Sequence, residues 1–166
     1  MNHWNAIIFK TGLTMLFISC LFNNLSGQNI KKEKMAELSF MIGDWIGTST
    51  SYSDGSITQQ GPAFEKIAYK LDGELITVDL HSTSLQLHTV IYYEPQDETY
   101  YYCSFSKRRA GKFRGEVKDG KFWVWFSDTY RLVFQQTPEG EFMEYGETLK
   151  DGKWSKSFKD VLTKAP

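Results

Sequence analysis

Two imidazoles and a carboxylate offer the most recognisable chemistry in this chain. Asp79, His81 and His88 fall on neighbouring segments of strand character. The register derived below pairs Asp79 with His88 and sets His81 diagonally near on the same face. A carboxylate that orients an imidazole is a general acid–base device, and two imidazoles with a carboxylate can hold a metal. The plainer reading is a solvent-facing cross-strand cluster worth about 0.2–1 kcal/mol, because these residues lie opposite Ile76, Val78 and Leu80. The sequence contains no nucleophile elbow, phosphate loop, His-Glu-x-x-His helix or paired-cysteine motif. It therefore assigns no catalytic residue, no metal and no cofactor, and reads more readily as a binding protein than as an enzyme.

A second group of residues suits binding. Phe122, Val124 and Phe126 alternate with Trp123 and Trp125. Val117, Val133 and Arg131 are expected on the first face; Leu132, Phe134, Arg114 and Glu116 are expected on the second. A strand apolar on both faces is unusual for an antiparallel sheet with one wet side. Either one face lines an enclosed space while the other meets a capping helix, or one face is an exposed patch for a partner. A filled core with no ligand satisfies the pattern equally. If there is a cavity, aromatic walls carrying one or two charges suit an apolar or amphipathic small molecule. The candidate contacts are Trp123, Trp125, Phe122, Phe126, Tyr69 and Arg131. Arg131, if buried, needs an anion; it either meets a ligand carboxylate or marks a rim. The basic run from Lys107 to Lys112 is a solvated hairpin tip or a contact for an anionic surface, and Glu147 with Lys156 reads as a surface pair.

The elements that must position these residues are announced by four Asp-Gly pairs: Asp54-Gly55, Asp72-Gly73, Asp119-Gly120 and Asp151-Gly152. Asp-Gly suits a type I′ turn, whose two central residues need positive φ. Taking Asp72-Gly73 as a two-residue loop pairs Leu71 with Glu74, Tyr69 with Ile76, Ile67 with Val78 and Glu65 with Leu80. A turn at Thr83-Ser84 pairs Leu80 with Leu87, Val78 with Thr89 and Ile76 with Ile91. Both hairpins thus send Ile76, Val78 and Leu80 to the same face, and a one-residue slip would send all three to solvent. The turn at Asp119-Gly120 pairs Val117 with Phe122, Gly115 with Val124 and Phe113 with Phe126. Asp128-Thr129 pairs Trp125 with Leu132, Val124 with Val133 and Trp123 with Phe134. Asp151-Gly152 pairs Leu149 with Trp154, Glu147 with Lys156 and Tyr145 with Phe158. For the strand from Glu98 to Phe105, either Tyr100 and Tyr102 or Tyr101, Cys103 and Phe105 face inward. A loop at Gln59-Gln60-Gly61-Pro62 is expected to break its strand, since Pro62 cannot donate to a ladder. Ahead of the strands, residues 31–42 read as one short helix with Met35, Leu38 and Ile42 on one face and Gly43 as its stop.

About ten strands with short connections and no intervening helix exclude a parallel sheet. The expected fold is all-β: an antiparallel up-and-down barrel of about ten strands with a short N-terminal capping helix. Residues 1–27 form a separate object. Thr11 to Phe22 is apolar, too short to span a bilayer, and followed by small residues, which reads as a secretory signal cut after Gly27. A lipobox ending at Cys20 is the alternative and would attach the chain to a membrane; an uncleaved anchor is a third outcome. Residues 28–166 then form one domain, secreted or periplasmic. Removing residues 1–27 takes away Lys10 and moves the net charge from −1 to −2, which does not fit a nucleic-acid partner. Only Cys103 would remain, as a small hydrophobe with no disulfide partner. Oligomeric state is not legible.

The run Phe40-Met41-Ile42-Gly43-Asp44-Trp45-Ile46-Gly47-Thr48 resembles the start of a calycin barrel, the group of lipocalins and fatty-acid-binding proteins. Its Gly-Asp-Trp-x-Gly form is closest to bacterial lipocalin-like domains of unknown function, and more distantly similar to nitrobindin-like barrels. The resemblance implies a barrel in which Gly43 and Trp45 are structural and Trp45 plugs the closed end. Two departures limit what else it implies. Nitrobindin-like proteins hold haem through a late His, and no His follows His88. Fatty-acid binders use an inward Arg and Tyr, whereas Tyr130 and Arg131 are adjacent and point to opposite faces.

Overall fold

A computed structural model of the chain describes residues 29–166. The expected leader, with its expected cut after Gly27 and its Cys20, lies outside the described residues. A helix over 29–36 and a 3₁₀ turn at Ser39–Met41 precede ten strands. These are β1 (Gly43–Ser53), β2 (Ser56–Lys70), β3 (Leu75–Ser82), β4 (Gln86–Glu94), β5 (Thr99–Ser106), β6 (Ala110–Lys118), β7 (Lys121–Ser127), β8 (Tyr130–Gln136), β9 (Phe142–Lys150) and β10 (Lys153–Lys164). Each pairs antiparallel with its sequence neighbours, and β1 pairs with β10, so the sheet closes into a barrel.

The turns explain the meander. Asp54-Gly55, Asp119-Gly120 and Asp151-Gly152 all take positive φ at both positions and leave two-residue loops. Asp72-Gly73 differs: Leu71 also has positive φ, and the loop spans Leu71–Glu74 between Lys70 and Leu75. The β2–β3 and β3–β4 registers are those the patterns predict, and Ile76, Val78 and Leu80 are buried. Tyr100 and Tyr102 face inward.

Several expectations are corrected. The helix ends at residue 36, and Met35, Leu38 and Met41 are fully buried where the periodicity points to Met35, Leu38 and Ile42. The change to a 3₁₀ turn, with Met41 N–H donating to the Leu38 carbonyl, shifts the buried position by one. Nor does β2 break at Pro62, which pairs with Thr48. The last β2–β3 pair is Ala63–Ser82, so Pro62 lies on a stretch with no β3 neighbour, where proline is tolerated.

The larger corrections come from bulges, which insert one extra residue into a strand. Ser127 pairs with Tyr130 as the turn requires, but Trp125 pairs with Arg131, Val124 with Leu132 and Phe122 with Phe134. Phe126 is the extra residue. Arg131 consequently leaves the Phe122/Val124/Phe126 face and points outward, while Leu132 and Phe134 turn in. In β10, Lys156 still pairs with Glu147, but Phe158 pairs with Gly146, not Tyr145.

One end of the barrel is plugged by the N-terminal segment. Met35, Leu38 and Met41 join Trp45, Phe122, Phe134 and Phe142 in the core. Tyr69 Oη donates to the Met35 carbonyl at 3.2 Å and Tyr100 Oη to the Lys34 carbonyl at 2.7 Å. Trp45 is buried against Phe142 and donates its indole N–H to the Met41 carbonyl at 2.7 Å. Trp45→Phe keeps the ring but orphans that carbonyl. It should lower unfolding free energy by about 1–3 kcal/mol, read as a lower urea midpoint with an unchanged slope.

Candidate functional site

The inward-facing residues change character from one end of the barrel to the other. Along β5 the sequence is Tyr100, Tyr102, Ser104, Ser106; along β3 and its turn it is Ile76, Val78, Leu80, Ser82, Ser84. Bulky side chains fill the helix-plugged half. Serines cannot fill the other, and a cavity of about 260 Å³ results. Its mouth carries Ser51, Ser82, Ser84, Ser106 and Arg109; its walls include Leu80, Leu87, Phe126, Leu132 and Phe158; and Tyr102 and Tyr130 add hydroxyls. Gly146 leaves room for this packing: a Cβ there would come within 2.5 Å of the Phe158 ring and 2.7 Å of Tyr130 Oη.

Glu144 and Asp160 also line this cavity. The register sets their depth. Asp160 is one inward position below Phe158, and Glu144 is two below Thr148, the partner of Tyr130. The β10 bulge makes Glu144 and Asp160 direct partners; a straight ladder from the Asp151-Gly152 turn would have set Glu144 opposite Lys159. Glu65 reaches the same point from β2, and one carboxylate oxygen from each of the three lies within 4.8 Å of the other two. All three are buried, and both oxygens of Glu65 and one of Asp160 have no hydrogen-bond partner.

Burial governs their ionisation, because a carboxylate loses most of its hydration there. Desolvation, then the Asp160 charge, pushes Glu65 up to about 8. Desolvation, then Glu65 and Asp160, holds Glu144 well above the usual carboxylate range. Asp160 is raised to about 6 by desolvation, with the Ser49 hydroxyl working against it. At neutral pH the site therefore stores protons. Three carboxyl groups supply oxygen only, so a metal held there would be a hard cation with water completing its shell.

The residues singled out from sequence divide between inside and outside. Phe126 lines the cavity and stacks on Phe113 at 3.8 Å. Phe122 is buried in the plugged half, and Tyr69 is tied to the helix segment. Trp123, Trp125 and Arg131 stand on the outer face. The Arg131 guanidinium lies 4.7 Å from the Trp123 ring centroid, 5.4 Å from Trp125 and 3.9 Å from Trp154, and its Nε donates to Glu147 Oε2 at 2.9 Å. Its anion is thus Glu147, and the Phe126 bulge is what turns it out. Asp79 and His88 form a 2.6 Å hydrogen bond with both side chains half exposed on the outer wall, and His81 is exposed. None of the three lines the cavity. Glu147 still pairs with Lys156 in the ladder, but its carboxylate serves Arg131 while Lys156 lies over Tyr145.

Sequence reasoning missed Glu144 and Asp160, read Arg109 only as part of a basic hairpin tip where it also lines the cavity, and placed Glu65 inward without giving it a role. The β2–β3 register already put Glu65 beside Leu80 on the buried face; the other two acids were hidden by the β10 bulge.

No protein-family model matches the chain, and no curated protein matches it in sequence. The site is therefore read from geometry and chemistry alone.

Two outcomes follow. A carboxyl raised from 4.5 to about 8 gives stability that is complete below its unfolded value and is lost as pH rises through about 8. The protein should thus be most stable in mild acid on this account. Glu65→Leu should flatten the profile and add about 1–3 kcal/mol at alkaline pH, measured by urea unfolding across the pH range. Arg131→Ala should cost about 1–3 kcal/mol by stranding Glu147, while leaving occupancy of the cavity unchanged in a binding titration.

Proposed function

We propose that this barrel is a binding protein for a small amphipathic molecule, held in the open half of the barrel. The observation that carries the reading is the 260 Å³ cavity, apolar along its walls and polar at its mouth and floor. A volume near the lower end of ordinary ligand sites suits a compact occupant. Such an occupant would lie among Leu80, Leu87, Phe126, Leu132 and Phe158, with its polar end toward the carboxyls or the serine-lined mouth.

The reading agrees with a calycin relationship, on the strength of the closed meander, the N-terminal plug and the buried Trp45 of the Gly-Asp-Trp-x-Gly run. We propose that relationship, together with an envelope location set by the leader over residues 1–27. A protein-interaction role for the outer tryptophans finds less support, because Arg131, Glu147 and Trp154 already satisfy that face. An enzymatic role for Asp79, His81 and His88 finds less support, because all three lie outside the cavity lining.

Octanol, octanoate and octylammonium provide a common apolar tail with three heads. Titration calorimetry should find at least one of them binding once per chain. Leu87→Trp, which fills the cavity, should abolish that binding while leaving the circular dichroism spectrum unchanged. Failure of all three to bind, or undiminished binding to Leu87→Trp, would overturn the reading.

A further inference from the structure

We propose that the occupant of the cavity carries a cationic nitrogen head, an ammonium or amidinium, which docks on Glu144 and Asp160 with Glu65 behind them. This rests on the reading of the barrel as a small-molecule binder and adds the class of ligand. Three observations point to it.

The first is orphaned hydrogen-bonding capacity. Both Glu65 oxygens and Asp160 Oδ1 are buried with no partner. Buried polar atoms are nearly always satisfied, and each exception calls for an explanation. In their ionised form these groups only accept hydrogen bonds, so what that form lacks is a donor, and an ammonium brings three.

The second is charge. Glu65 and Asp160 are 2% exposed and Glu144 is 6% exposed, yet the ladder partners of Asp160 are Ser49 and Glu144, neither of them a cation. Among the described residues, the one cation lining the cavity, Arg109, belongs to the mouth beside Ser106. The titratable groups lining this space are Glu144, Asp160, Tyr102, Tyr130 and Arg109, with Glu65 behind the first two. The depth of the cavity therefore favours a positive head, and only its mouth favours a negative one. A ligand carboxylate would stop at Arg109.

The third is shape. A bare metal ion would use the acids and ignore the apolar walls around them. An organic cation with an apolar body uses both, since Leu80, Leu132 and Phe158 share the cavity with Glu144 and Asp160.

The proton balance follows from the chemistry. A protonated carboxyl gives up its proton as the ammonium docks, and the proton leaves to solvent; no covalent bond is made or broken. The Glu65 carboxyl, pushed up to about 8 by burial, holds a proton that can be released near neutral pH.

The test compares octylammonium, octanol and octanoate at about pH 8 by titration calorimetry, run in phosphate and in Tris to count protons from their different ionisation heats. Octylammonium should bind about tenfold or more tightly than either other probe, release protons to the buffer, and bind more tightly as pH rises from 6 to 8. Glu144→Gln and Asp160→Asn, which keep shape and lose charge, should each remove most of that preference while octanol binding persists. Equal binding of octanol and octylammonium, or tighter binding of octanoate, would overturn the ammonium assignment and leave the barrel a binder of other molecules. Binding of calcium or manganese in competition with octylammonium, with no effect of the tail, would also overturn it. Failure of every probe, including the neutral one, would instead remove the small-molecule reading itself.

Discussion

The pairing of β1 with β10 is the constraint on which everything else rests. Seven consecutive residue pairs, from Trp45–Lys164 to Ser51–Phe158, join the first strand to the last. Closure of this kind removes the free edges that an open sheet leaves for aggregation. It also divides every strand into an inside and an outside, and it fixes a volume that the inward residues either fill or leave empty. Near the N-terminal plug they fill it, with Trp45, Phe122, Phe134 and Phe142 packed against Met35, Leu38 and Met41. At the far end serines replace the bulky residues, and space remains.

Within that frame the costly feature is a trio of carboxyl groups with no counter-ion. Buried acids are ordinarily paired or hydrogen-bonded, because desolvation otherwise drives them to the neutral form. Here a bulge in β10 draws Asp160 into register with Glu144, where an unbroken ladder would have set a lysine opposite. A local arrangement that works against stability, maintained by a specific backbone device, is expected where function rather than folding sets the sequence. The same kind of device works the other way in β7. The Phe126 bulge turns Arg131 out of the barrel to meet Glu147 and three tryptophan rings, sparing the interior an isolated cation.

How much of this could be read from the residues depended on where the bulges fell. The β2–β3–β4 registers followed from turn chemistry and alternation, since both neighbours of β3 demanded the same inward face. The Asp119-Gly120 hairpin followed likewise, down to the meeting of Phe113 with Phe126. Beyond Phe126 and Ser157 the projection failed by one residue, because a count from the turn has no means of seeing an inserted residue. Those two slips moved Arg131 to the wrong face, made Trp123 and Trp125 look like cavity contacts, and concealed the Glu144–Asp160 pair. The cavity left a fainter trace in the serines at alternate positions 49 and 51, 82 and 84, and 104 and 106. They reveal an under-filled barrel end only once the strands are known to close.

The account turns on the protonation of buried acids, which carbon-13 NMR of side-chain carboxyls reports residue by residue. Titrated in the ligand-free protein, Glu65 should change state near pH 8, Asp160 near 6, and Glu144 well above the ordinary carboxylate range. Octylammonium should shift all three toward the ionised form at neutral pH. If all three carboxyls instead ionise near pH 4.5 or below, as exposed ones do, they are hydrated or paired, and the account of a desolvated, proton-storing site fails.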